Sequence, residues 1–245
     1  MPFHKVTWHQ QKRFATVHNF GCTFACPVCS YKLRSGADGK PGHAWPTPER
    51  FLSMDDIRQA LQSVDIDTLY VMGGEPTTAR ELPELLHFGK HELGCRTVLG
   101  HTNGSLLPMD NLDGANVGLK AFDDDVHRRY TGRERSTIVE NVERAFAAGI
   151  ELRTNMVYIP GFVDLDQIEA TVQWLASMSR DIHFHLCGYI PVPGQPYSRP
   201  TDEQMARALE VCRRHLDDVS SSHLTAEQAL DLSSRDSRFA VTRLL

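Results

Sequence analysis

The chain has 245 residues, of which 26 are lysine or arginine and 31 are aspartate or glutamate, so its formal charge is −5. This balance excludes a positive field over the whole protein, so neither nucleic acid nor an anionic membrane is expected as a partner; a local basic patch stays open. A chain of this length can bury a sizeable core, and a single domain is expected.

The N-terminal segment MPFHKVTWHQQKRF does not resemble a secretion signal, because it has no apolar stretch. No uninterrupted apolar run reaches the about 18 residues that a membrane span needs. Six cysteines are too few for a disulfide scaffold in a chain of this length. The sequence therefore predicts a soluble, cytoplasmic protein.

Short β-branched segments alternate with segments of helical period, a pattern typical of parallel sheets with crossover helices. Six strands are predicted, at residues 14–20, 68–72, 97–101, 115–121, 152–159 and 182–189. Ser53, Ser136, Asp164 and Thr201 are placed to cap helices between or after them. The last residues, RFAVTRLL, are suited to a closing strand. We expect an α/β fold with residues 1–218 as the barrel and residues 219–245 as an extension that packs on it or closes it.

Three cysteines stand within eight positions in NFGCTFACPVCSYKL, at Cys22, Cys26 and Cys29. A four-iron cluster held by three thiolates keeps one iron open for a ligand. A structural zinc ion needs a fourth protein ligand, which here would be His18 or His43. Unligated core cysteines are a third interpretation, so the spacing favours an iron–sulfur cluster without deciding the matter.

The segment VMGGEPTT follows the second predicted strand. Its two glycines allow backbone to approach a ligand closely, and Glu75 can accept hydrogen bonds from an ammonium group. The same residues also suit a plain β–α turn with Pro76 at the start of the next helix. On its own this motif does not separate the two interpretations.

Two further patterns carry both a functional and a structural interpretation. Strand alternation in DIHFHLCGYIP puts His183, His185 and Cys187 on one face, where they either approach a substrate or form a hydrogen-bonded barrel floor. The acidic run in FDDDVHRR either docks a partner protein or forms the solvated first turn of a helix.

Taken together, the cysteine triplet and the GGEP segment resemble the radical S-adenosylmethionine (SAM) superfamily. The later segments LKAFDDDVHRRYTG and NMVYIPGFVD resemble the activating enzymes of glycyl-radical proteins, the pyruvate formate-lyase activase group. The resemblance runs from about Val17 to Gly194. It implies a partial (β/α)6 barrel of the TIM type, a [4Fe–4S] cluster and S-adenosylmethionine as cofactors, and a radical that takes hydrogen from a substrate.

The resemblance also implies roles for individual residues. Cys22, Cys26 and Cys29 would hold iron. Cofactor contacts would come from the following residues, with Arg153 as an alternative to the last: Val28, Gly73, Gly74, Glu75, Pro76, Asn103, Lys120 and Asn155. The resemblance gives Lys120 a place beside the cofactor carboxylate, and Cys187 is the candidate for contact with substrate, so both are predicted to be catalytic.

Two departures from the family pattern carry predictions. The position before the third cysteine is often aromatic, whereas here it is Val28, so adenine would either stack on Phe24 or Tyr31 or use Val28 only through its backbone. Aspartates that hold an alkali cation in the activase group are replaced by His101 and Gly118. Because a hard cation needs oxygen ligands, we expect no such ion here and a direct contact from Lys120, or from His101 if it is protonated.

The expected activity is hydrogen abstraction from a residue of a partner protein. Two alternatives stay open: a radical enzyme that acts on a small molecule or modified nucleoside, and a zinc-bound structural or binding protein. No further cysteine cluster is present, so the electron must come from an external donor such as flavodoxin or ferredoxin. Oxygen-sensitive clusters of this kind require anaerobic handling.

Overall fold

The computed structural model describes residues 2–235 and 240–245. Within this part of the chain nine strands form one sheet, in the order β8-β7-β6-β5-β4-β3-β2-β1-β9. Their bounds are β1 (Phe3–His9), β2 (Phe14–Asn19), β3 (Thr68–Gly73), β4 (Arg96–Thr102), β5 (Gly114–Leu119), β6 (Glu151–Tyr158), β7 (His183–Gly188), β8 (Val219–Ser222) and β9 (Thr242–Arg243).

Strands β2 to β8 are parallel to their neighbours, and β1 pairs antiparallel with both β2 and β9. The sheet does not close, because β8 and β9 are its two edges. This is the predicted single α/β domain with a partial TIM-type barrel.

Helices cover one face of the sheet and connect most of the parallel strands. They are α1 (Lys32–Ser35), α2 (Met54–Gln62), α3 (Leu82–His87), α4 (Asp124–Thr131), α5 (Ser136–Ala147), α6 (Leu165–Met178), α7 (Asp202–His215) and α8 (Ala226–Arg235). A 3-10 turn at Pro76–Thr78 follows β3, and a π-helical turn at Phe88–Glu92 continues α3. In the described residues no helix is both long and apolar enough to cross a bilayer.

All six predicted strands are present, as β2 to β7. The sequence did not predict β1 and β8. In β1 the segment FHKVTWH mixes charged and apolar residues, and β8 consists of VSSS, whose serines carry little strand preference. Strand β8 forms because the edge of β7 offers it unpaired backbone groups, and β1 forms between β2 and β9, with both of which it pairs.

Two of the four predicted N-caps form a side-chain hydrogen bond to their helix. Ser53 and Thr201 each form a capping box, with Asp56 and Gln204 respectively. Helix α5 begins at Ser136 rather than after it, and Arg135 occupies the cap position without a side-chain bond. Asp164 precedes α6 as predicted, but its carboxylate accepts from the Gly161 backbone N–H instead of from the helix.

The C-terminal residues meet both edges of the sheet. Strand β8 pairs with β7, while Thr242–Arg243 forms β9 against β1. Residues 238 and 239 of the predicted closing strand lie outside the described residues. The two edge strands are thus contributed by the segment after residue 218, the segment expected either to pack on the barrel or to close it.

Strand alternation divides the sheet into an apolar and a polar face. Residues such as Val17, Val71, Leu99 and Val117 are fully buried in the core beneath the helices. Burial of each such side chain contributes about 1.5–3 kcal/mol. The opposite face carries polar side chains into the barrel interior, so the stable core and the functional groups occupy different sides of the same strands.

Candidate functional site

A cavity of about 350 Å³ lies at the carboxyl ends of the parallel strands; we call it the upper cavity. Functional groups of barrel folds collect at this end. Ten of the predicted site residues line it: Cys22, Cys26, Val28, Cys29, Gly73, Gly74, Asn103, Lys120, Asn155 and Cys187. Glu75 and Pro76 are absent from its wall, and Arg153 lines a second cavity instead.

The three cysteines belong to the loop that follows β2. The Cys22 thiol accepts from the Phe24 backbone N–H at 3.4 Å and from the Asn103 side-chain amide at 3.7 Å. Ala25 donates its backbone N–H to Thr131 at the end of α4. The loop is therefore held to two other parts of the barrel before any cofactor binds.

Burial raises the pKa of the Cys22 thiol, and it raises the pKa of Cys26 to about 12. The thiols of Cys22 and Cys26 are thus protonated near neutral pH when no metal is bound. Iron displaces such protons when it binds, because the thiolate is the ligand. Three partly or fully buried thiols on one cavity wall fit a cluster with three protein ligands.

The two histidines proposed as a fourth zinc ligand are occupied elsewhere. His18 Nε2 lies 3.1 Å from the Thr7 hydroxyl, and His43 Nδ1 lies 2.9 Å from the Pro41 carbonyl oxygen. Across residues 2–235 and 240–245 no three His, Cys, Asp or Glu side chains form a group that could hold one metal ion.

Both glycines of the GGEP segment are required by close backbone packing. A Cβ atom at Gly73, whose φ is +118°, would lie 2.3 Å from the Asn19 carbonyl oxygen. One at Gly74 would lie 2.0 Å from the Gly21 carbonyl oxygen and 2.5 Å from that of Gly42. Any side chain here would push β3 away from the cysteine loop.

Glu75 lies behind this turn and is fully buried. One carboxylate oxygen accepts from the Thr77 backbone N–H at 3.1 Å and from the Thr77 and Thr102 hydroxyls at 2.8 Å. The other accepts from the Asn103 backbone N–H at 2.6 Å. Burial raises the pKa of Glu75, while these hydrogen bonds favour its charged form. The side chain thus connects the ends of β3 and β4.

Lys120 extends into the upper cavity from the end of β5, and no described carboxylate forms an ion pair with it. A Cβ atom at Gly118 would lie 3.1 Å from Lys120 Nζ and 2.9 Å from His101 Cε1, so these residues are neighbours. Burial and the Lys120 charge lower the pKa of His101 to about 4. At neutral pH His101 is therefore uncharged.

Apolar and aromatic side chains complete the upper cavity. Phe24, Val28 and Tyr31 all line it, which is compatible with the predicted stacking on Phe24 or Tyr31. The lining residues that the sequence did not single out include Tyr130, Tyr189, Ser222 and Leu224. Tyr189 falls at the end of a predicted strand, which was a usable signal, whereas Ser222 belongs to the unpredicted β8.

A second cavity of about 550 Å³ occupies the barrel interior; we call it the lower cavity. It shares His101, Asn155 and Cys187 with the upper cavity, and its wall also includes Arg153 and the β7 histidines. The predicted histidine face of β7 therefore points into the barrel and forms hydrogen bonds there, with Cys187 at its upper end.

The acidic run is part of the capping of α4. Asp123 accepts from the backbone N–H groups of Asp125 and Val126, and Asp124 pairs with Arg135. Asp125 pairs with Arg128 within the helix. These contacts match the solvated first turn that was one of the two interpretations.

Comparisons with known proteins agree on the family. The model of the Radical SAM superfamily matches residues 16–175. A Methanocaldococcus jannaschii protein with the provisional name glycyl-radical enzyme activating enzyme is 28% identical over 222 residues, covering 84% of this chain and 80% of that protein. The GTP 3′,8-cyclase of Staphylococcus saprophyticus is 29% identical over 175 residues, which are 66% of this chain and 50% of the cyclase.

Among solved structures, Streptococcus suis SuiB bound to S-adenosylmethionine superposes with a TM-score of 0.62 at 18% identity. The match covers 82% of this chain and 48% of SuiB, so the likeness concerns the barrel fold. The matched residues 16–175 include the three cysteines, the GGEP turn and Lys120. The chain therefore belongs to the Radical SAM superfamily, whose members use a [4Fe–4S] cluster and S-adenosylmethionine.

Proposed function

We propose that this protein removes a hydrogen atom from a residue of a partner protein, as an activating enzyme does. The observation that carries this proposal is the similarity to the archaeal relative named as a glycyl-radical enzyme activating enzyme, which extends over most of both chains. When bound, the cluster and S-adenosylmethionine supply a 5′-deoxyadenosyl radical. The protein's own residues hold these groups, orient them and exclude water.

Five of the lining residues have a proposed task in holding the cluster and the cofactor. Cys22, Cys26 and Cys29 hold the cluster as thiolates. Lys120, which has no described carboxylate partner, meets the carboxylate of S-adenosylmethionine as a charge-assisted contact. The Asn103 side-chain amide donates to the Cys22 thiol and, at 2.9 Å, to the Thr23 hydroxyl. Asn103 therefore connects the cysteine loop to the end of β4.

The GGEP turn supports the proposed site from behind. Gly73 and Gly74 present backbone to the upper cavity, where they can meet the amino group of the cofactor. Glu75 acts as a positioning residue, because its carboxylate is engaged by donors of the protein itself. Pro76 starts the 3-10 turn behind it. Asn155 contributes from β6, and its amide is oriented by a 2.9 Å bond to Asn116.

An external one-electron donor of the flavodoxin or ferredoxin class is proposed as a second partner. The three cysteines outside the cluster loop are far apart in sequence and are each free thiols. Six free thiols also suit the reducing environment of the cytoplasm, where we place the enzyme.

A second candidate function is action on a small molecule or modified nucleoside. It is favoured by Ser222 and Leu224 of the C-terminal segment, because these residues form the wall of the upper cavity on the side of β8. The relative that is a GTP 3′,8-cyclase points in the same direction, although the chain spans half of its length.

One experiment separates the two functions. The protein is reconstituted anaerobically, and 5′-deoxyadenosine formation is measured with the dialysable and the non-dialysable fraction of a cell extract from the source organism. A partner protein predicts stimulation by the non-dialysable fraction that is lost on boiling. Stimulation by the dialysable fraction alone would replace the proposed function with the second one. Cys26→Ala serves as the inactive control.

A further inference from the structure

Arg153 projects from β6 into the barrel interior, where it lines the lower cavity. Its neighbours in strand register are Asn116 of β5 and His183 of β7, which line the same cavity. Burial alternates along β6, so that Leu152 and Thr154 are buried whereas Arg153 between them is exposed. The guanidinium group therefore reaches the cavity and not the core beneath the helices.

The charge of Arg153 is not balanced by the protein. Within residues 2–235 and 240–245, no carboxylate forms an ion pair with its guanidinium and no side chain accepts a hydrogen bond from it. Glu151, two residues earlier on β6, is paired with Arg96, and Asp218 is paired with His183. The described wall of the lower cavity contains no aspartate or glutamate. It thus carries a permanent positive charge, because arginine does not lose its proton in proteins.

The side-chain amide of Asn116 adds donors beside this charge. Asn155 Nδ2 donates to Asn116 Oδ1 at 2.9 Å, which sets the orientation of the Asn116 amide. No described residue accepts a hydrogen bond from the Asn116 NH₂ group. The guanidinium and this NH₂ group can only donate. A ligand that satisfies both must therefore bring oxygen acceptors and negative charge.

The histidines of the lower cavity are already engaged by the protein. Both ring nitrogens of His183 and both of His185 lie 3.1 Å or less from a side chain of β8 or of the residue before it. These contacts fix the two rings as a wall of the cavity. The donors left for a ligand on this side of the barrel are those of Arg153 and Asn116.

The lower cavity has the size and the access that a small molecule needs. Its volume of about 550 Å³ falls within the range of about 300–1,000 Å³ that is usual for such sites. Arg153 and Asn116 also line a third cavity of about 330 Å³, whose wall includes the first residues of β4, β5 and β6. The lower cavity is therefore continuous with the amino ends of the strands. A ligand can enter there without passing the proposed cofactor site.

We propose that the lower cavity binds a small molecule through a carboxylate or phosphate group, held by the Arg153 guanidinium and the Asn116 amide. A guanidinium can pair with two oxygens of either group at once, and the amide meets a further lone pair. The ligand is thus a small organic acid or a phosphate ester, which share this anchor. The site differs from the one proposed for the carboxylate of S-adenosylmethionine at Lys120. It goes beyond the proposed function and does not depend on it.

The anchor is tested by calorimetric titration of the full chain, reconstituted with its cluster, with inorganic phosphate and separately with succinate. We expect saturable binding of at least one anion with a Kd of about 1 mM or below, and the tighter one identifies the class of ligand. Arg153→Gln should weaken this binding about 10- to 100-fold. Arg180→Gln, which changes an exposed arginine paired with Asp217, should retain it. Saturable binding of neither anion, or equal affinity in Arg153→Gln and wild type, would overturn the inference.

Two further variants locate the anion. Asn116→Asp keeps an acceptor for Asn155 but places a carboxylate beside Arg153, so the anion affinity should fall as it does in Arg153→Gln. Lys120→Met changes the upper cavity and should keep the anion affinity of wild type. Affinity lost in Lys120→Met but retained in Asn116→Asp would place the anion in the upper cavity and overturn the inference.

The affinity for S-adenosylmethionine separates this inference from the proposed function. Arg153→Gln should bind the cofactor as wild type does. A loss of cofactor affinity in Arg153→Gln as large as its loss of anion affinity would show that Arg153 contacts the cofactor, and the inference would be wrong. A wild-type protein that binds the anion through Arg153 but does not bind S-adenosylmethionine would overturn the proposed function alone.

Discussion

The two sides of the upper cavity are built by different means. On the side of β2 to β5, the functional groups stand in short contiguous segments, and close backbone packing places them: the cysteine loop, the Gly73 turn and the end of β5. On the side of β6 to β8, they are alternate residues of straight strands, and their placement depends on strand register. A substitution on the side of β2 to β5 should therefore disturb the binding groups directly. A substitution on the side of β6 to β8 should act through hydrogen-bonded neighbours.

The largest effect is expected at the cysteine loop. Cys26→Ala removes one of three thiolates from the proposed cluster, and a cluster lacking a ligand does not assemble stably. We expect iron content and 5′-deoxyadenosine formation to fall to background in anaerobically reconstituted protein. Cys95→Ala and Cys212→Ala, which alter buried thiols outside the cavity wall, should retain both. Full iron in Cys26→Ala would show that the thiols of this loop are not the ligands.

Substitution of Glu75 tests whether its buried carboxylate holds the GGEP turn in place. Glu75→Ala leaves the buried N–H groups of Thr77 and Asn103 without their acceptor, and each such group costs about 1–3 kcal/mol. We expect the free energy of unfolding of the cluster-free protein to fall by about 3 kcal/mol in urea titrations, and by less in Glu75→Gln. The resemblance implies a direct contact of Glu75 with the cofactor, and such a contact predicts instead a loss of cofactor affinity with little loss of stability. If that pattern is measured, the carboxylate contacts the cofactor directly.

The difference between those two expectations shows what sequence could and could not provide. Six of the seven parallel strands and the cysteine loop could be predicted, because strand alternation and cysteine spacing are local patterns. The direction of the Glu75 side chain could not, since it depends on Thr102 and Asn103 of the next strand. Ser220 and Ser222 were missed for the same reason, because their hydrogen bonds to His185 form only once β8 pairs with β7.

Lys120 tests the electrostatic part of the first side. Lys120→Met removes the proposed contact with the cofactor carboxylate, and a charge-assisted contact is worth about 1.5–3 kcal/mol. We expect the affinity of the reconstituted protein for S-adenosylmethionine to fall about 10- to 100-fold by calorimetric titration. Lys12→Met, in the exposed turn after β1, should leave the affinity unchanged.

The same Lys120 contact predicts no role for an alkali cation. At fixed ionic strength, exchange of sodium for potassium or a bulky organic cation should not change the rate of cofactor cleavage. A clear rate difference would show that oxygens near His101 and Gly118 hold such an ion, and Lys120 would then have a different task.

The smallest effect is expected at His18 of β2, whose surroundings differ from those of His183 on β7. His183 on β7 faces the Asp218 carboxylate, whereas His18 on β2 faces the Thr7 hydroxyl with Lys5 and His4 nearby. Burial, assisted by these two neighbours, lowers the pKa of His18 to about 3. The unfolded chain protonates its histidines at about pH 6.5, while folded His18 stays neutral down to about pH 3. The contribution of His18 to the free energy of unfolding is therefore fully present above about pH 6.5 and decreases as the pH falls from there.

This pH dependence can be measured with one variant. At about pH 5 the contribution of His18 amounts to a loss of about 2 kcal/mol in the free energy of unfolding, from the linkage of protonation to folding. We expect urea titrations at pH 7.5 and at about pH 5 to show a smaller difference in His18→Gln than in wild type, by about that amount. His87→Gln, which changes an exposed histidine of α3, should behave as wild type. If His18→Gln keeps the full pH dependence, the folded protein accepts a proton at His18.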